Sequence, residues 1–162
     1  MHNYRELKIW QRAMDLAVEV YKNTSSFPVE ERFALTLQIH KSAVSIPSNI
    51  SEGAGRDSDG QFQYFLEISM GSCNELQTQI ELSRRLNYLS DKIAFHLLDE
   101  ASQIYRMTVT FYYKIGGNNP LQHPRSVSAF TSSRRTSKKN KKRIPHHFSN
   151  FYYKNHRFGL FH

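Results

Sequence analysis

Apolar residues recur through the first 115 positions at three- and four-residue spacing, without the two-residue alternation of half-buried strands. Leu7, Trp10, Met14, Ala17 and Tyr21 predict a first helix over residues 4–24 with one apolar face. Arg5, Lys8, Arg12, Asp15 and Glu19 fall on the other side. A second helix is predicted from Val29 to about Ala54, with Glu30 and Glu31 in its first turn, where acids favour the positive end of the dipole. It carries two stripes: Phe33, Leu37 and Val44, and then Leu35, Ile39, Ala43, Ile46 and Ile50. Ser58-x-x-Gln61 has the spacing of a capping box and opens a third helix running to about Tyr88. Phe62, Phe65, Leu66, Ser69, Cys73, Leu76, Ile80 and Ser83 line its predicted core face, and Tyr64, Ile68, Leu82 and Leu86 form a second stripe. Gly71 and Ser72 in its middle predict a close helix crossing, because glycine there costs about 1 kcal/mol against alanine. Ser90 caps a fourth helix that ends at Gly116-Gly117.

Four helices joined by short connections predict an all-α, up-down-up-down four-helix bundle over residues 1–117. The second stripes on helices two and three exceed what one bundle core needs. Scattered exposed apolar residues are one reading of that surplus; self-association is the better one, because two helices show it together.

One segment departs from simple periodicity. Gln38-Ile-His-Lys-Ser-Ala-Val-Ser-Ile-Pro-Ser-Asn-Ile-Ser-Glu-Gly-Ala-Gly-Arg56 places Pro47 inside the second helix. A proline there removes a backbone donor and costs roughly 3 kcal/mol, so the helix is expected to bend at Pro47. Ser42, Ser45 and Ser48 are placed to compensate through side-chain hydrogen bonds to backbone. The segment reads first as architecture.

Charge divides the chain. The formal net charge is +8 over 162 residues, but residues 1–115 hold 12 Lys+Arg against 14 Asp+Glu, and residues 116–162 hold 10 Lys+Arg and no acid. The basic character therefore belongs to residues 118–162, which lack a helical period and interleave Phe148, Phe151, Tyr152, Tyr153, Phe158 and Phe161 with cations. This tail is expected to be disordered. Electrostatic binding to RNA with aromatic stacking, a solvated tail, and a read-through or out-of-frame extension all fit its composition. The single cysteine, Cys73, excludes an internal disulfide and suits a reducing cytosol. Neither a signal-like apolar stretch at the start nor an apolar run of about 20 residues is present. A cytoplasmic protein that contacts no membrane is expected.

The order of motifs resembles a known family. Leu7-Lys-Ile-Trp-Gln-Arg-Ala13, Phe27-Pro28-x-x-Glu31-Arg32, Leu35-Thr-Leu-Gln-Ile39, Ala43-Val-Ser-Ile-Pro-Ser-Asn-Ile-Ser-Glu-Gly53, Gly55-Arg56, Phe65-Leu66, Gly71-Ser72 and Glu75-Leu76 follow one another. Together, residues 5–115 resemble the bacterial four-helix-bundle family of 23S rRNA intervening-sequence proteins, which includes the accessory variability determinant of diversity-generating retroelements. The resemblance implies a homopentameric barrel and no known enzymatic activity. In the retroelement branch it implies partners: RNA and a reverse transcriptase. His40-Lys41 stands where the family often has two basic residues, Ser51 replaces a usual alanine, and the tail has no counterpart.

Candidate chemistry is sparse. Arg5, Lys8 and Arg12 make a basic stripe whose positive charge near a helix start opposes the dipole by typically about 0.3–1 kcal/mol per site. It reads as a phosphate-contact strip or as an ordinary solvated face. Lys41, Arg56, Arg84 and Arg85 are further single cations, for which solvent exposure or ion pairing competes with ligand contact. Ser45, Pro47, Asn49, Glu52 and Gly53 form the structural motif around the proline. Glu52 has no neighbouring His or second carboxylate, which favours capping and inter-helix hydrogen bonding over acid–base work, and Arg56 is in reach of it. His40 and His96 stand alone, so no metal or cofactor is expected. The expected function is a non-enzymatic oligomeric scaffold associated with RNA. The alternative is a structural oligomer that recruits a protein such as a reverse transcriptase.

Overall fold

Two serines start two of the helices as their spacing predicts. Ser58 Oγ accepts the Gln61 amide at 3.3 Å and Ser90 Oγ accepts the Ile93 amide at 3.4 Å, each satisfying a donor that the first turn leaves free. In the computed structural model, which describes residues 2–117, four α-helices follow: α1 (Lys8–Thr24), α2 (Leu35–Ala54), α3 (Asp59–Arg85) and α4 (Asp91–Ile115). Each packs on its neighbours in sequence, and α1 closes on α4. The all-α four-helix bundle is as expected. The disordered tail expected over 118–162 lies outside the described residues.

Two predicted helices are shorter than their periodicity suggested. Residues Tyr4–Glu6 form a 3-10 turn, capped by Asn3, whose Oδ1 accepts the Arg5 amide; extended Leu7 separates the turn from α1. Residues Val29–Phe33 form a second 3-10 turn, and Ala34, at φ −109° and ψ −109°, interrupts the path to α2. Glu31 replaces the lost helical continuity, its carboxylate accepting the Leu35 amide at 3.2 Å. At the far end of α3, Asn87 takes φ 59°, and Ser83 O then accepts the Tyr88 amide at 2.9 Å, stopping the helix before Tyr88.

The buried face of α1 is not the one expected. Ile9, Ala13, Leu16, Ala17, Val20 and Thr24 face the core. Of the predicted face only Ala17 is buried, while Met14 and Tyr21 stand 40% and 46% exposed. Two adjoining stripes of α1 are apolar, and helical periodicity alone does not say which one meets the bundle. The supposedly solvated side is also partly used: Arg12 and Glu19 reach across to Glu100 and His96 of α4. By contrast α3 follows prediction closely. Phe62, Leu66, Ser69, Cys73, Leu76, Ile80 and Ser83 are buried, Phe65 is half-buried, and Tyr64, Ile68, Leu82 and Leu86 are exposed. Burial pushes the Cys73 thiol up to about 12, so it is an inert core group.

The helix α2 continues across Pro47 without a break. Around the missing donor, Ser48 Oγ donates to Val44 O and Asn49 Nδ2 to Ser45 O, both at 2.8 Å. The α2–α3 seam is lined with small polar groups. Ser45 and Ser72 share a hydroxyl bond of 2.8 Å, Ser69 Oγ donates to Ile46 O at 3.1 Å, and Ser42 Oγ reaches Gln79 Oε1 at 2.6 Å. The glycine packed tightly against a neighbouring helix is not Gly71, where an added Cβ would meet nothing within 4 Å. It is Gly53, where a Cβ would stand 2.8 Å from Phe65 Cβ and collide with the Phe62 ring. Isoleucine and leucine fill the centre: Ile39, Ile46, Ile50, Leu66, Leu76, Ile80, Leu97 and Ile104 are fully buried. No helix among the described residues is long and apolar enough to cross a membrane.

Candidate nucleic-acid interface

The seven candidate cations do not form one surface. Four are engaged with carboxylates. Arg12, half-buried between α1 and α4, donates to Glu100 Oε2 at 2.6 Å and to Gln103 Oε1 at 2.9 Å, which makes it an inter-helix tie. Arg56 pairs with Glu52 one turn earlier and lies 4.7 Å over the Phe65 ring. Arg84 forks onto Glu81 and reaches Asp91 Oδ1 at 3.0 Å, fastening the end of α3 to the start of α4. Arg85 shares the Glu81 carboxylate at 2.8 Å. Hydrogen bonds from Arg84 and then Arg85 hold the Glu81 carboxyl down at about 2.

Arg5, Lys8 and Lys41 remain. Arg5 lies against the Tyr4 ring at 4.9 Å, and none of the three has an ion pair among the described residues. Lys41 is an exposed residue of α2, whereas Arg5 and Lys8 lie on the N-terminal turn and the start of α1. The basic stripe is therefore shorter than its spacing suggested, since tertiary contact takes Arg12 out of it.

The structural motif around Pro47 is brought together. Ser45 bonds Ser72, Asn49 bonds Ser45, Glu52 holds Arg56, and Gly53 lets α2 pass over Phe62 and Phe65. Asn49 acts within its own helix, and the contact between helices runs through Ser45. Among the described residues the partner of Glu52 is Arg56.

Two grooves flank α1, and periodicity signalled neither. One, of about 550 Å3, runs between α1 and α2 and is lined by Trp10, Met14, Val18, Tyr21, Val44 and Pro47. At the Tyr21 side, His40 stacks on that ring at 3.8 Å and bonds Thr24 Oγ1 at 2.8 Å, and burial lowers its pKa. The other, of about 560 Å3, lies between α1 and α4, and its lining includes Lys8, Arg106, Lys114, Met107 and Phe111. The signal for the second was available: Lys8 near one helix start and Lys114 near another helix end become neighbours once the bundle closes. Among the described residues no three His, Cys, Asp or Glu side chains are placed to hold a metal ion.

Comparison with known proteins agrees with this architecture. A protein of unknown function from Bacteroides thetaiotaomicron VPI-5482, of the S23 ribosomal protein family and known from a 1.70 Å crystal structure, is similar in fold. The match has a TM-score of 0.59 and 22% identity, covering 64% of this chain and 97% of that one. No curated protein matches the sequence. The family model described as 23S rRNA-intervening sequence protein matches residues 5–110, which spans α1, α2, α3 and most of α4. The chain belongs to the 23S rRNA-intervening sequence protein family.

Proposed function

We propose that this chain is a cytoplasmic, non-enzymatic scaffold that assembles with copies of itself, as a ring of five, and associates with RNA through basic surface residues. The observation that carries the reading is apolar surface on two separate parts of the bundle. The α1–α2 groove exposes Met14, Val18, Tyr21 and Val44, and α3 exposes Tyr64, Ile68, Leu82 and Leu86. A ring needs one patch to meet a different patch on the next copy, and two unlike apolar surfaces suit that heterologous contact. Arg5, Lys8 and Lys41 supply few phosphate contacts per copy, but repetition around a ring multiplies them.

A second reading is favoured by the pairing of Arg12, Arg56, Arg84 and Arg85 with carboxylates: an oligomer that recruits a protein such as a reverse transcriptase, without nucleic-acid affinity of its own. Light scattering at micromolar concentration tests assembly, and a mass equal to one chain removes the scaffold. RNA retention compared at ~50 mM and ~200 mM salt separates the two readings, since many phosphate contacts give a steep loss. Absence of retention at the lower salt favours the protein partner. A variant ending at Gly117 assigns any retention to the bundle or to residues 118–162.

A further inference from the structure

The α1–α4 groove has no part in the apolar assembly argued above. We propose that it is a binding site for a small phosphate ester with a flat apolar body, of the nucleoside monophosphate class. Lys8 projects from the first turn of α1 and Lys114 from the last turn of α4, and both line the groove. Both are exposed, and neither has an ion pair among the described residues. Arg106 also lines it, while Arg12 contributes from the position that Glu100 holds. The only acid in the lining is Glu6, which accepts Asn3 Nδ2 at 2.8 Å.

This concentration of cations is not inherited from the bundle, whose residues 1–115 hold more acids than bases. The backbone adds to it. Leu7, the N-cap of α1, lines the groove and offers no side-chain acceptor to the first turn, so no side chain there opposes the positive end of the dipole. Lys8 at that position is mildly unfavourable for the free helix, and a bound anion reverses the sign of the cost. The floor is different in kind: Leu7, Met107 and Phe111 present apolar surface beside the cations. Cations alone suit any polyanion. Cations beside a thioether and a ring suit an anion that carries its own flat, poorly hydrated body. A volume of about 560 Å3 is within the range of small-ligand sites. Because every lining residue comes from one chain, this site stands whether or not the scaffold assembles.

The test is calorimetric titration of the full chain with adenosine 5′-monophosphate, inorganic phosphate and adenosine as separate probes. The nucleotide is expected to bind once per chain, at least about tenfold more tightly than either fragment. The double variant Lys8→Gln/Lys114→Gln should weaken it at least about fivefold. Arg32→Gln/Lys92→Gln removes the same charge elsewhere on exposed positions, and keeps the same residues 118–162, so it should stay within about twofold. Thr110→Glu, at an exposed lining position, places a carboxylate in the groove and should abolish binding without touching the core. No nucleotide binding at about 1 mM overturns the proposal. So does phosphate binding as tightly as the nucleotide, or equal losses in the two double variants.

Discussion

The two grooves beside α1 have nearly the same volume and mostly apolar walls, but they differ in the number of cations at their rims. The α1–α2 groove is walled by Trp10, Met14, Tyr21 and Val44, and the α1–α4 groove is rimmed by Lys8, Arg106 and Lys114. One helix supplies a wall to each, on either side of the same buried stripe of Ala13, Leu16 and Val20. Size therefore says nothing about what each groove accepts. What decides is whether the neighbouring helix brings β-branched and small side chains, as α2 does, or long cationic ones, as the end of α4 does.

The largest effect comes from removing what holds the two apart. Leu16→Ala takes a buried side chain from the stripe between them and is expected to cost about 2–5 kcal/mol in urea unfolding, disturbing both grooves together. Arg12→Met should act on the α4 side alone. The Arg12–Glu100 pair is about a third exposed, so after solvent screening the expected loss is roughly 1 kcal/mol, and a Glu100→Gln partner variant should recover part of it in a double-mutant cycle. Val44→Asp touches only the apolar groove. Its fold stability should change by no more than about 0.5 kcal/mol, while the light-scattering mass falls toward one chain. An unchanged mass would detach that groove from assembly.

The smallest effect is a difference in pH response. Burial lowers the His40 pKa below its ordinary 6.5, so the unfolded chain binds the proton more readily. Stability contributed here is complete above 6.5 and declines as pH falls from 6.5 through the lowered folded value. His40→Gln should flatten that slope in unfolding measured from pH 7 to pH 5, and Lys8→Gln should leave it in place. Glu81 titrates lower still. Its carboxyl is depressed to about 2, so its favourable contacts with Arg84 and Arg85 are present above the ordinary carboxylate range and are lost as pH falls through about 2.

Much of this was legible along the chain. Ser58 and Ser90 announced helix starts because a cap is a local event, settled within four residues. The two stripes of α3 were legible because Phe62, Leu66, Ser69, Cys73, Leu76, Ile80 and Ser83 recur at three- and four-residue spacing over the whole length of the helix. The face of α1 was not, because Trp10, Met14 and Tyr21 also recur at helical spacing beside the stripe of Ile9, Leu16 and Val20, and it is the latter that the facing helices bury. Gly71 misled for a related reason: a missing side chain permits close packing but does not cause it, and in α2 it is Gly53 that sits tightly against Phe62 and Phe65. Lys41 and Arg84 look alike as isolated cations, yet one has no ion pair among the described residues and the other bridges two helices.

Helix number, order and the Ser58 and Ser90 caps followed from residues within a turn or two of each other, where backbone geometry and short-range hydrogen bonds leave little choice. Which side of α1 is buried, that Arg12 is tied to Glu100, and that Lys8 and Lys114 line one groove depend on contacts between helices distant in sequence. Those outcomes were decided only when packing of α2 and α4 against the same helix selected one arrangement that fills the core without voids.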